Sequence, residues 1–580
     1  MSTAGVRRWS AAAPPRLSSI AVHGAGARPV STRSVFLAVL LVLALIVPVA
    51  CGDAGSGDDS TGSGDALAGS AEAPKAGGTY NYPLQGDPGS FDPMIQQPGD
   101  GYAVLHQMYE GLVRYEEQAD GSVVTAPCLA ESWSANADAR VWTFRLRRGV
   151  LFHPPVSREF TAADVVADLR YIAAPERRSQ IAYMLVGIKG VDGQGYATGE
   201  EFGVEAVDRY TVRFTLKHPF SEFPDTLGTG AFWVWPADHL KKVGSEAYAR
   251  HPVGTGPYLF RKWDPGVSID LVRNPQWWDT SGGPYIDTLH YEVFSSITSM
   301  MLAFQKGEID WTYVPKGQIP ASRSLPQVTS GQWKAASSPI LALGYLCVNM
   351  KDPVVGGDEG LPFRQALAYA CDRQAAIDAA GDSVHLLPAG LVPSGVPGAG
   401  QVADPYPYDP EKARALLAET GPVTLEVLHP IDRFGRSIAE SLTGSYADVG
   451  ITLEPRAVEW ETYLDRLLDG DMQLFLLGWV ADYPSMDNFL FVPFESESSG
   501  SSLCTFYSEP DVDALLRRAR AAPDRGTRVR LYAEAERLIL ADAPVVPILV
   551  YADYRLENNR VAGVAFSSMA WVDLWRAWVR

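Results

Sequence analysis

The sequence predicts an α/β fold, and three observations carry that expectation. Two stretches in the first half alternate apolar and polar residues like half-buried strands. A helical stripe lies between them, and the second half keeps alternating helix and strand until it reaches an almost wholly apolar run.

In chain order, "VWTFRLRRGVLF" puts Trp142, Phe144 and Leu146 on one face and Thr143, Arg145 and Arg147 on the other, the period of a strand with one side in water. "RYTVRFTL" repeats the pattern with Tyr210, Val212, Phe214 and Leu216. Between them "FTAADVVADLRYI" reads as a helix, with Thr161 as N-cap, Asp164 three residues on, and a stripe of Val165, Leu169 and Ile172. Further along, "YDPEKARALLAETG" has Asp409 as cap, Pro410 at the first helical position and Gly421 past the end. "VTLEVLH" alternates as a strand, "SIAESLTGSYADVGITLEPRAV" continues helix then strand, and "EWETYLDRLLDGD" is an amphipathic helix closed by Gly470. The run "MQLFLLGW" that follows is almost wholly apolar, which predicts a strand covered on both faces. Ligands of open α/β sheets bind outside the carboxyl ends of strands. That places Asp482, in "GWVADYPSMDNFL", where a ligand is expected.

Ahead of this body, residues 1–50 hold five arginines and no acid, and "VFLAVLLVLALIVPVA" ends directly before Cys51. A basic region and a short apolar core form an export signal rather than a membrane span. "PVAC" resembles a bacterial lipobox, apart from Pro48 where Leu is usual. Cys51 is therefore the expected lipid acceptor, with plain secretory cleavage nearby as the alternative. Residues 51–75, rich in Gly, Ser, Ala and Asp, bury too little to offset ordering entropy and read as a tether. Losing the leader takes the formal charge from −19 to −24, a sign that argues against a nucleic-acid partner. Cys128, Cys347, Cys371 and Cys504 form no metal-binding spacing and leave disulfides and buried free thiols equally open.

Catalytic signatures are missing: no G-x-S-x-G, H-E-x-x-H, Walker A loop or G-x-G-x-x-G. "VGTGPY", from Val253 to Tyr258, reads as a turn or a close backbone approach. His153, His218 and His251 sit beside prolines or strand ends and read as structural. Asp482 and Asp487 could form an acid/base pair, but Pro484 between them favours a loop over a rigid geometry. Asp482 alone reads either as a turn cap or as a fixed anion.

Nine motifs in order cover about 500 residues from Gly77 to the C-terminus: "YEGLV", "CLAESW", "WTFRLRRGVLFH", "FTAADVV", "GTGPYLF", "RNPQWW", "GEID", "FRQALAYACDR" and "GWVADYPSMDNFL". Together they resemble the bacterial extracellular solute-binding proteins of the peptide/nickel class, the receptors of ABC importers. The run "PPVSRE" after His153 departs from the "DG" usual in that family.

The resemblance implies a periplasmic-binding-protein fold of type II, three-lobed (cluster C), with two lobes closing on a ligand across a hinge. The expected lobes are interleaved: lobe I from 76–111, 251–345 and 556–580, lobe II from 112–250, and lobe III from 346–555. It further implies that Asp482 pairs with a peptide's free α-amino group and that Trp460, twenty-two residues upstream, lines the pocket. Trp479 and Tyr483 would exclude water and offer a cation-π face, Gly478 would reach the lobe interface, and Gly99 to Tyr102 would be a pocket loop of the first lobe. Leu467 and Leu476 stand where some oligopeptide receptors carry arginines.

The expected function is a lipid-anchored, monomeric, extracytoplasmic receptor without cofactor or enzymatic activity. It would pass a di- or oligopeptide, or another amine-bearing solute, to ABC permease subunits. A nickel chelate, an oligosaccharide or an opine remain alternatives within the fold. Outside it stand a secreted two-carboxylate hydrolase and a signalling lipoprotein.

Overall fold

Strand Thr79–Leu84 pairs in parallel with Thr288–Val293, and Ser268–Arg273 and Tyr258–Asp264 complete a four-stranded sheet in that order. A second, antiparallel sheet orders Ala130–Ala135, Val141–Leu146, Thr211–Thr215 and Val204–Asp208. The third has six strands, in the order Trp311–Tyr313, Val545–Asn558, Trp333–Val348, Leu474–Val480, Val423–Pro430 and Ile451–Val458. This computed structural model describes residues 73–580 except 93, 96–98, 382, 419–422 and 501. The leader, Cys51, the tether up to residue 72, and Gly421 lie outside the described residues.

Local chemistry sets the element ends. Helix Ala162–Ile172 starts where the Asp164 carboxylate accepts from Thr161 N at 2.8 Å, and helix Pro410–Leu416 starts where Asp409 accepts from Lys412 N at 2.9 Å. Helix Trp460–Asp469 stops at Gly470, whose φ of +73° is the left-handed conformation that glycine adopts without a Cβ penalty.

Strand Leu474–Val480 is buried on both faces, as its apolar run predicts. Phe475, Leu477 and Trp479 pack with Tyr463, Leu464 and Phe489 on one side. Leu474 and Leu476 pack with Ala439 and Leu549 on the other. Leu467 is likewise fully buried, so both of the leucines at arginine positions belong to the core.

The first two sheets share one core, which contains Leu84 and Leu271 from one and Phe144 and Phe214 from the other. Strands Trp333–Val348 and Val545–Asn558 pair from Trp333 opposite Asn558 to Cys347 opposite Val545, with a break in register between Pro339 and Leu343. Residue boundaries 345/346 and 555/556 fall inside this ribbon rather than in a linker.

"GTGPY" is a close approach. A Cβ on Gly254 would lie 2.0 Å from Met108 O, and one on Gly256 2.7 Å from the same oxygen. His153 locks this turn, with Nε2 3.0 Å from Gly256 O and Nδ1 3.3 Å from Gly254 N. Burial lowers its pKa to about 4, so the ring is neutral and structural. Cys128, Cys347, Cys371 and Cys504 are buried free thiols. Among the described residues no helix is long and apolar enough to cross a membrane, and no His/Cys/Asp/Glu group is arranged to hold a metal ion.

Candidate ligand-binding site

Strand Leu474–Val480 continues on the sheet as far as Ala481, whose N–H donates to Leu341 O at 2.8 Å. Four residues later Ser485 caps helix Met486–Phe494, its Oγ accepting from Asp487 N at 3.0 Å. Asp482 is therefore held between a strand's carboxyl end and a helix start. Asn488, on the first turn of that helix, fixes it. The Asn488 side-chain carbonyl accepts from Trp479 Nε1 at 3.0 Å and from Asp482 N at 3.2 Å, and its amide donates to Asp482 Oδ2 at 3.4 Å.

No basic side chain among the described residues pairs with Asp482. Burial raises its carboxyl to a pKa of about 6, opposed only by the Asn488 amide. Its charge reaches the phenols of Tyr102, Tyr115 and Tyr183, each already raised by burial. An aromatic wall extends from there. Tyr102 lies 4.7 Å from Trp233 and 6.0 Å from Trp571 between ring centres, and Tyr115 stacks on Trp571 at 5.6 Å. His106 stacks on Trp571 at 5.1 Å and holds Asp573 at 2.6 Å. Such walls exclude water and present electron-rich faces to a cation.

The other predicted residues fall as follows. Tyr102 meets Asp482 from helix Gly99–Leu105, which Gly99 opens at the surface, and the Tyr102 hydroxyl accepts from Gly230 N. Gly478 pairs with Gly344 in the sheet interior. Trp479 is buried and bonded to Asn488, so it positions the loop. Tyr483 gives its hydroxyl to Asp487 at 2.6 Å. Trp460 stacks on Tyr463, and among the described residues its buried Nε1 has no hydrogen-bond partner and no hydrogen bond or ring contact joins it to Asp482.

Asp487, the other acid of the possible pair, is fully committed. Arg520 reaches it through Nε at 2.7 Å and a second guanidinium nitrogen at 2.8 Å, and Tyr532 donates at 2.8 Å. A carboxylate so saturated is a structural ion pair, not a general base.

Tyr115, Tyr183 and Asn488 were not singled out from the sequence. Asn488 lies inside the quoted motif, and the polar residue opening a helix was its only signal. The two tyrosines come from segments hundreds of residues upstream of Asp482.

The mixed α/β architecture, with two four-stranded sheets and one of six strands, is that of the two-lobed type II periplasmic-binding-protein fold, shared with the solved structures named below. The chain matches the model of "Bacterial extracellular solute-binding proteins, family 5 Middle" over residues 125–501, more than half its length, and belongs to that family. The family consists of extracytoplasmic receptors rather than enzymes. Heme-binding protein A of Haemophilus influenzae is 28% identical over 546 residues, covering 90% of this chain and 95% of that protein. The dipeptide-binding protein of Escherichia coli is 29% identical over 497 residues, covering 81% and 89%. Among solved structures, DppA from Helicobacter pylori in complex with the peptide STSA superposes with a TM-score of 0.70 at 25% identity, covering 87% of this chain and 98% of that one. HbpA2 from Haemophilus parasuis, at 23% identity, shares the fold with a TM-score of 0.75 over 87% and 100%.

Proposed function

We propose that this protein is the peptide-capturing receptor of an ABC importer, with Asp482 as the anion that meets the ligand's terminal ammonium. The observation that carries the reading is Asp482 itself, a half-buried carboxyl group within electrostatic reach of Tyr102, Tyr115 and Tyr183 and with one amide for a partner. Burying such a charge is costly unless a cation arrives, and an ammonium supplies one together with charge-assisted hydrogen bonds. The solved complex with STSA and the dipeptide-binding relative support a peptide as the ligand.

Lobe III closes on lobes I and II by flexing the ribbon at the Pro339–Leu343 register break, a reading supported by the core that the first two sheets share. The receptor works as a monomer, tethered to the outer face of the membrane by lipid on Cys51, and hands its cargo to permease subunits. Calorimetry with a di- and tripeptide library tests the proposal. Asp482→Ala is expected to weaken binding by about 2 to 5 kcal/mol, the usual loss when one partner of a buried charge pair is removed. Equal affinity of the two proteins would rule the ammonium anchor out.

A further inference from the structure

Beside the Asp482 loop lies a cavity of about 240 Å³, lined by Pro484 from that loop and Met486 at the start of the helix that follows. Its two charged walls come from distant parts of the chain. One carries Glu222 and Asp225, just beyond the second sheet. The other carries Arg525 and Arg528, from the start of helix Arg525–Asp542. Trp133, Trp142 and Val529 supply apolar surface between them.

The walls are joined by one long ion pair, which leaves much of their polar surface free. Glu222 Oε1 is 3.7 Å from Arg528 Nε, beyond hydrogen-bonding distance. Among the described residues, Glu222 Oε2, Ser221 Oγ and Arg528 Nε are all buried without a hydrogen-bond partner. Arg520 is spent on Asp487, and Arg528 gives its NH1 group to the carbonyls of Ala522 and Pro523. Asp225 is only partly satisfied, by Thr125 Oγ1 at 2.5 Å. Burial, with Asp225 and Asp487 nearby, lifts Glu222 to a pKa of about 8, and burial lifts Asp225 to about 6.

Buried polar atoms are rarely left unpaired, so three along one cavity point to a guest that both donates and accepts. A lone cation would satisfy the acidic wall and be repelled by the arginines, and a lone anion the reverse. A guest carrying both charges suits both walls at once. The volume exceeds the ~30 Å³ that one water occupies and falls short of the roughly 300–1,000 Å³ of sites for drug-sized ligands.

We propose that this cavity is a second binding site, separate from the Asp482 cleft, for a small zwitterion of the α-amino acid class. Its ammonium lies on Glu222 and Asp225, and its carboxylate on Arg525 and Arg528. Because the walls belong to different lobes of the proposed partition, the guest bridges them and favours the state in which they meet.

The test is calorimetry of the purified full-length protein with a panel of free α-amino acids, repeated on Asp482→Asn to silence the cleft. Saturable binding of at least one amino acid, unchanged by Asp482→Asn, is expected. Its decarboxylated and deaminated analogues should bind at least about tenfold more weakly. Glu222→Gln and Arg528→Gln, on opposite walls, should each weaken it by a similar factor, with thermal melts confirming that both variants fold. No saturable binding by any amino acid at millimolar concentration would overturn the proposal. Loss of binding in Asp482→Asn would do the same, because the guest would then sit in the cleft. So would an amine or an acid binding as well as the zwitterion, which would mark a simple ion site.

Discussion

Asp482 has a pKa of about 6 in the folded chain, against ~3.9 for an exposed aspartate. The unfolded chain therefore ionises first, and the native state carries a penalty that is full above pH 6, shrinks as pH falls through 6, and vanishes below about 4. Asp482→Asn is accordingly expected to stabilise the unliganded protein at pH 7 by about 1 to 3 kcal/mol and to leave it unchanged at pH 4, as read by urea denaturation. Greater stability with weaker peptide binding would mark a residue kept for function. Binding should follow the same titration. Peptide affinity is expected to fall about tenfold per unit below about pH 6, where the carboxylate takes a proton, and to fall again above about pH 8, where a terminal ammonium loses one. Calorimetry between pH 5 and 9 would show that bell, and a flat profile would mean that neither charge is involved.

Helices Met486–Phe494, Pro510–Ala521 and Arg525–Asp542 are locked together through Asp487, which accepts from Tyr483, Arg520 and Tyr532. Arg520→Met strands a fully buried carboxylate and is expected to cost about 3 to 5 kcal/mol in a denaturant melt, whereas Tyr483→Phe should cost only about 1 kcal/mol. Gly254→Ala, whose Cβ would press on Met108 O, should also be strongly destabilising and lower the melting temperature. The elements themselves were legible because their signals are local. Asp409 with Pro410, Thr161 with Asp164, and Gly470 after an amphipathic stripe each act within a few residues. The Arg520–Asp487 pair was not legible, since the partners lie thirty-three residues apart on two successive helices and no local pattern marks which of many arginines turns inward.

At the scale of the molecule, segments far apart in the sequence return to one another. Thr79–Leu84 beside Thr288–Val293, and Trp333–Val348 beside Val545–Asn558, are those returns. The candidate site was half legible. Asp482 and Tyr102 were readable from motif and position, but Tyr115 and Tyr183 reach Asp482 only through the tertiary arrangement, which leaves no trace in their own segments. Leu467 and Leu476 fill the core and offer no side chain to a ligand, so the proposed recognition rests on the ligand's amine end. The most direct test is therefore calorimetry of one tight-binding peptide in two forms, with its amino terminus free and acetylated. The free form is expected to bind the wild-type protein at least about thirtyfold more tightly than the acetylated form, about 2 kcal/mol or more, and the difference should disappear in Asp482→Asn. Equal binding of the two forms by the wild-type protein would contradict the account.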